Sequence, residues 1–344
     1  MRGPAGLCSV FMERRPSIRD LAEATGVSAA TVSLALRDKG RMSEETRSRI
    51  KRAAAESGYV PNSTARSLAG GRTQLISISM PAIGMAPEVV SSVEYFFKLL
   101  GGAAAKALEL DHGLLVASPS ERPDRVAVDG AVVVDPSVDD PTVAAFDRLG
   151  RPVVTIGRRL DERAGDQRTL VVDNDYISAT ERMLDHLRDG GSHTIALVGC
   201  HPIDSFQRDS IDTHRAWCER HGLTARVVMS ESPRPEHAAL AARELVAGPD
   251  RPEAVYATID TLAEAVLEEA AELGVAVPGE MRVATCSDGY IARSSTPALT
   301  TIDEKPVELG EAAVEMLIAA ILDPDMGSAS VQIGTDLVIR ASTA

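Results

Sequence analysis

From residue 75 onward, short apolar runs alternate with longer segments whose apolar residues recur every three or four positions. The runs at 75–80, 114–117, 130–134, 153–156, 169–172, 194–198, 225–229, 254–257 and 282–286 have the length of strands and are rich in Val, Ile, Leu and Ala. Between them, 89–110, 177–188, 214–221, 235–247 and 262–273 repeat with the helical period. Strands alternating with helices predict parallel sheets joined by right-handed crossovers, so this body is expected to be α/β. At 344 residues the chain is too long for one core, and two such lobes fit its length.

Residues 16–57 follow a different pattern, that of three short helices. Ser17-Ile18-Arg19-Asp20 reads as a capping box opening the first, with Ile18, Leu21 and Ala22 on its apolar face. Gly26 supplies the turn, and Ser28 caps a second helix, 29–36, that points Val32 and Ala35 at the first. Ser43 opens a third, with Ile50, Ala53 and Ala54 inward and Arg47, Arg49, Lys51 and Arg52 around them. A helix, a tight turn with glycine and a second short helix form the helix-turn-helix, whose second helix enters the DNA major groove.

Charge supports a nucleic-acid partner for this head. The whole chain carries −14, but residues 1–72 hold thirteen Lys/Arg against seven Asp/Glu, or +6, which leaves 23 basic and 43 acidic residues, or −20, for the rest. A basic head on an acidic body suits a polyanion held at one end only. No apolar run approaches the roughly 20 residues of a membrane helix, and residues 1–15 lack a secretory apolar stretch, so a cytoplasmic, nucleoid-associated protein with no membrane partner is expected. Cys8, Cys200, Cys218 and Cys286 stand far apart and predict reduced thiols rather than a metal site. The seven histidines form no metal-binding pair, and neither a Gly-rich phosphate loop nor a Gly-x-Ser-x-Gly elbow occurs, so no enzyme, metal or cofactor is expected. Asp173, Asn174 and Asp175 read as strand-end caps.

After the third helix comes Gly58-Tyr59-Val60-Pro61-Asn62, followed by Ala65-Arg66-Ser67-Leu68. With Ile18-Arg19-Asp20-Leu21-Ala22, Gly26-Val27-Ser28 and Thr31-Val32-Ser33, these stretches resemble the LacI/GalR family of bacterial transcription repressors. The resemblance runs on through Thr296-Pro297-Ala298-Leu299-Thr300-Thr301-Ile302 to Leu337-Val338-Ile339-Arg340-Ala341-Ser342. It implies a repressor that grips a palindromic double-stranded DNA operator as a homodimer and answers to a small-molecule effector. The implied fold is an all-α helix-turn-helix head plus an α/β two-lobed, periplasmic-binding-protein-like body with three crossings between the lobes. The domains would be a flexible extension, 1–15, the helix-turn-helix, 16–60, a hinge helix and linker, 61–73, and the body, 74–344. Lobe one would take 74–168 and 300–326, and lobe two 169–297 and 328–344. A solute-binding receptor would share this body, but it would need an export signal and has no use for a basic head.

Carried over residue by residue, the resemblance makes Ala29, Ala30 and Leu34 the base-contacting positions, none able to form a bidentate hydrogen bond. Ala65 and Leu68 would enter the minor groove, with Leu68 as the wedge. Ser28, Thr31, Ser33, Arg37 and Asn62 would touch phosphates. In the effector cleft the chain departs from the family. The family's arginine, Asn-Asp pair and aspartate correspond, without gaps, to Ser210, Ile259-Asp260 and Ser287, with Arg208 and Asp288 close enough to substitute. Only Asp260 survives, which predicts an effector other than a simple sugar; Arg208 would attract an anionic group and Ile259 an apolar one.

Overall fold

The computed structural model describes residues 16–36, 38, 40–59, 72–80, 90–117, 127–160, 168–201 and 204–344, in two compact units divided between Thr73 and Gln74. In the head, α1 (Ile18–Thr25), α2 (Ala29–Leu36) and α3 (Glu44–Ser57) follow the local signals of the sequence. The Asp20 N–H donates to Ser17 Oγ at 3.3 Å while the Ser17 N–H donates to Asp20 Oδ2 at 2.6 Å, completing the capping box. Gly26 ends α1 at φ 67°, a left-handed conformation that costs a residue with a Cβ. Leu21, Val32, Ala35, Ile50 and Ala54 form the head's own core.

The body contains two six-stranded sheets. Sheet one runs β11 (Ala329–Ile333), β5 (Leu170–Asn174), β4 (Val153–Ile156), β3 (Ala131–Val134), β1 (Leu75–Ser79) and β2 (Gly113–Ala117). Sheet two runs β12 (Asp336–Val338), β10 (Thr300–Asp303), β9 (Arg282–Cys286), β8 (Ala254–Ala257), β6 (Ile195–Cys200) and β7 (Arg226–Ser230). All pairings are parallel except β10 with β12. On sheet one, α4 (Val90–Glu109) and α11 (Pro306–Leu322) cover one face and α5 (Pro141–Arg148) the other. On sheet two, α6 (Tyr176–Asp189) and α7 (Ser205–Arg220) face α8 (Pro235–Val246) and α9 (Asp260–Glu272) across the strands, with the short α10 (Tyr290–Ser294) beside α9.

Strand pairing moves the expected lobe boundaries. Leu170–Asn174, assigned to lobe two, hydrogen-bonds between β4 and β11 in sheet one. Thr300–Asp303, assigned to lobe one, pairs with β9 and β12 in sheet two, and Ala329–Ile333 returns to sheet one. The crossings therefore lie between Asn174 and Tyr176, between Asp303 and Pro306, and between Ile333 and Asp336. The helix expected at 214–221 starts instead at Ser205, because the Asp204 carboxylate caps it by accepting from the Gln207 N–H at 2.7 Å. Cys200, Cys218 and Cys286 are free and buried.

Candidate functional site

In the head, α2 presents its first turn to solvent. Ser28 Oγ accepts the Thr31 N–H at 3.1 Å and lies 2.8 Å from Thr31 Oγ1, so both hydroxyls also cap the helix. Ala30 is exposed, while Ala29, Thr31 and Ser33 are half-buried. Leu34 is 36% exposed and rests on the loop that follows: a Cβ placed at Gly40 would come within 3.1 Å of its Cδ1. That loop is held from α3. Lys51 Nζ donates to Asp38 at 2.7 Å and Arg47 donates to the Gly40 carbonyl at 3.3 Å, with the Lys51 hydrogen bond holding the Asp38 carboxyl below its usual range. Two of the four basic residues of α3 thus brace the loop behind Leu34. Arg37, Asn62, Ala65 and Leu68 lie outside the described residues.

In the body, the strand ends of both sheets meet in an interlobe cleft. Ser287, at φ 76°, and Asp288 line a small pocket together with Tyr95, Lys98, Asp303 and Glu304. Asp288 is committed to an ion pair, since Arg340 Nη2 donates to its Oδ1 at 2.8 Å. Asp260 is buried at the start of α9, and Ile259 packs on the core of sheet two. The other expected residues are placed differently. Ser210 is fully buried on α7, 3.5 Å from Thr180 Oγ1, and Arg208 is exposed on the same helix. An alignment without gaps places Ser210 at the cleft rim, but α7 turns it toward Thr180 of α6.

Residues outside the expected effector set supply the cleft's charge. Asp135 ends β3, Asp173 ends β5, Asp204 and Asp209 stand at the start of α7, and Glu304 lies at the second crossing. Burial pushes Asp173 up to about 7, against the pull of the Asn174 N–H and Arg158, and pushes Glu304 up to about 7 against its hydrogen bond from the Tyr176 hydroxyl at 3.0 Å. Asp135 is held well above the usual carboxylate range, first by desolvation and then by Asp204, Glu304 and Asp173. Asp204 is raised by desolvation as well. Arg158, two residues beyond β4, reaches into this group: it grips Asp209 and lies 3.7 Å from Asp173. An anionic ligand would meet carboxyls here, so the role expected of Arg208 gains nothing from the geometry.

Contacts on two sides close the cleft. Arg158 joins sheet one's lobe to Asp209 of the other, and its N–H donates to Ser205 Oγ at 2.9 Å. On the other side Arg293 of α10 donates to both oxygens of Glu94 on α4, at 2.8 and 3.0 Å, while Lys98 reaches the Asp288 carbonyl at 3.3 Å.

A helix-turn-helix head in one chain with a two-lobed body is the architecture of a DNA-binding transcriptional regulator. Residues 17–62 match the family model for bacterial regulatory proteins of the lacI family, and 184–343 match that for a periplasmic binding protein-like domain. The chain thus carries a lacI-type DNA-binding domain and a periplasmic-binding-protein-like domain. It is 25% identical over 334 residues to the transcriptional regulator MalR of Staphylococcus xylosus, covering 95% of this chain and 98% of that one. With the transcriptional repressor PurR of Escherichia coli it shares 27% over 342 residues, covering 95% and 97%. These relatives are transcriptional regulators and not enzymes, in agreement with the sequence expectation. Among solved structures, the lac repressor dimer bound to operator and the anti-inducer ONPF superposes with a TM-score of 0.77 at 20% identity, covering 96% of this chain and 99% of that one. The transcriptional regulator CelR–cellobiose complex does so with 0.70 at 22%, covering 95% and 100%.

Proposed function

We propose that this repressor binds a palindromic operator as a homodimer and that a small molecule in the interlobe cleft modulates the binding. The observation that carries the reading is a helix-turn-helix on a +6 head, with Ser28 and Ala30 exposed at the start of α2, in one chain with a two-lobed body. Ala29, Ala30 and Leu34 offer thymine methyls apolar contact and no bidentate readout, so Leu68 insertion and DNA deformability carry much of the specificity. Ser28, Thr31, Ser33, Arg37 and Asn62 set the register through phosphates, and Ala65 lies with Leu68 in the minor groove. Dimerisation is supported by the outer face of α4, where Phe97, Gly101, Ala105 and Leu108 are all exposed, Phe97 by 66% and Leu108 by 73%. It is supported also by the assembly named for the lac repressor, a dimer on its operator.

The test is the salt dependence of operator binding by the full chain. Each neutralised phosphate contributes about −0.9 to the log–log slope, so six to ten contacts predict roughly a 10³- to 10⁵-fold loss between about 50 and 200 mM salt. An affinity that stays flat over that range would remove the phosphate contacts from the account.

A further inference from the structure

The interlobe cleft is built around a positive charge that the chain itself supplies. Arg158 projects from the end of β4, donates through Nη2 to both carboxylate oxygens of Asp209 on the facing lobe, and sets Nε 3.7 Å from Asp173 Oδ2 on its own lobe. The turn that carries it lies close against the other lobe: a Cβ at Gly157, φ 88°, would stand 3.3 Å from Ser205 Oγ and 3.5 Å from Asp135 Oδ1. The guanidinium is thus seated between one carboxylate from each lobe, with Asp135 beside the same turn. Resting on the reading of this cleft as the effector site, we propose that the effector carries a positively charged nitrogen, an amine or a guanidine, which takes the place of the Arg158 guanidinium between Asp173 and Asp209.

Three observations support an exchange of one cation for another. The Arg158 side chain is half exposed, at 50%, so the guanidinium can swing into water, whereas Asp209 and Asp173, at 16% and 10%, stay largely buried and would need another cation once it left. Asp135, Asp204 and Glu304 stand near one another, Glu304 buried and the two aspartates half-buried, and desolvation raises all three. A ligand cation beside them would favour their ionised forms and bind the more tightly for it. The alternatives fit worse, because an anion would meet the Asp209 carboxylate that Arg158 now holds and a neutral polyol would leave that carboxylate without a cation. A cation held by Asp173 and Asp209 would also bridge the lobes, and so bias their closure by as much as its affinity differs between open and closed forms.

The experiment is a rescue titration on full-length Arg158→Ala, followed by thermal unfolding. Methylguanidinium chloride at about 10 mM should raise the melting temperature by about 2–4 °C over the same concentration of sodium chloride. Neutral methylurea should have no effect, and the rise should vanish in the Arg158→Ala, Asp209→Asn double variant. If Arg158→Ala does not fold, the same titration on Arg158→Gln decides. No rise with methylguanidinium, or an equal rise with methylurea, overturns the cation subsite. Operator affinity measured in the same titration tests the underlying reading separately. Rescue without any change in operator affinity would keep the cation subsite and overturn its role as the effector site. Glucose that shifts the operator affinity of the wild type, with the effect lost in Asp173→Asn, would keep the effector site and overturn the cationic class.

Discussion

Alanine at Gly310 is expected to cost the body about 3 kcal/mol or more, the upper end of what an overpacked core loses, and to lower its melting temperature by roughly 6–12 °C. Helices α4 and α11 cross over sheet one with glycine on both sides of the contact. A Cβ at Gly310 would fall 2.1 Å from the Leu99 carbonyl oxygen and 2.8 Å from the Ala103 nitrogen, and one at Gly102 would fall 2.2 Å from the Val307 carbonyl oxygen. These neighbours are backbone and cannot rotate away. The two helices would have to separate, loosening Leu99, Ala103, Leu309, Ala313 and Leu317, which are buried together in sheet one's core. Gly327, in the exposed turn after α11, supplies the control. It has nothing within 4 Å of an added Cβ and no left-handed backbone, so Gly327→Ala should stay within about 0.5 kcal/mol of the wild type. Thermal unfolding of both variants checks the pair, and a Gly310→Ala protein melting with the wild type would disprove the close crossing.

Leu68→Ala is expected to weaken operator binding at least ten-fold, about 1.4 kcal/mol, while leaving dimer assembly intact. On the proposed reading residues 62–69 form a hinge helix only when bound to DNA, because eight residues are too few for an isolated helix in water. On the proposed operator, two such segments would pack across the dyad and drive Leu68 into a central base step. Unstacking that step costs a few kcal/mol, which the contacts allowed by bending repay. Truncation to alanine removes the wedge but leaves the phosphate contacts, so nonspecific binding should hardly change. Fluorescence anisotropy with operator and with scrambled DNA, alongside sedimentation of the free protein, separates the effects. An unchanged operator affinity would eliminate the wedge.

The head was legible in the sequence because its signals are local. Ser17 with Asp20, Ser28 and Ser43 open the three helices, while Gly26 and Gly58 close the first and third, each acting within a few residues of itself. In the body, nine strands announce themselves as apolar runs, but β10, β11 and β12 do not. Thr300 and Thr301 are polar, and Ser330, Val331 and Gln332 lie exposed on an edge strand, so neither segment forms an apolar run. The lobe boundaries were illegible for a different reason: Leu170–Asn174 has the same composition whichever sheet accepts it, and only its pairing with β4 and β11 decides. The cleft was harder still. Asp173 reads as a strand-end cap, and its carboxylate does accept the Asn174 N–H at 2.9 Å. What sets it apart is Arg158, and what holds Arg158 is Asp209, 51 residues further along the chain. Charges that meet only through folding leave no periodic or short-range trace.

The central claim is that a pair of heads reads one symmetric site. Selecting bound sequences from random double-stranded DNA with the full-length protein tests it most directly. The account predicts a single inverted repeat whose centre is an easily kinked pyrimidine–purine step, with modest base preference beneath Ala29 and Ala30 and loss of the enrichment in Leu68→Ala. Enrichment of one isolated half-site, of direct repeats, or of no sequence at all would contradict it.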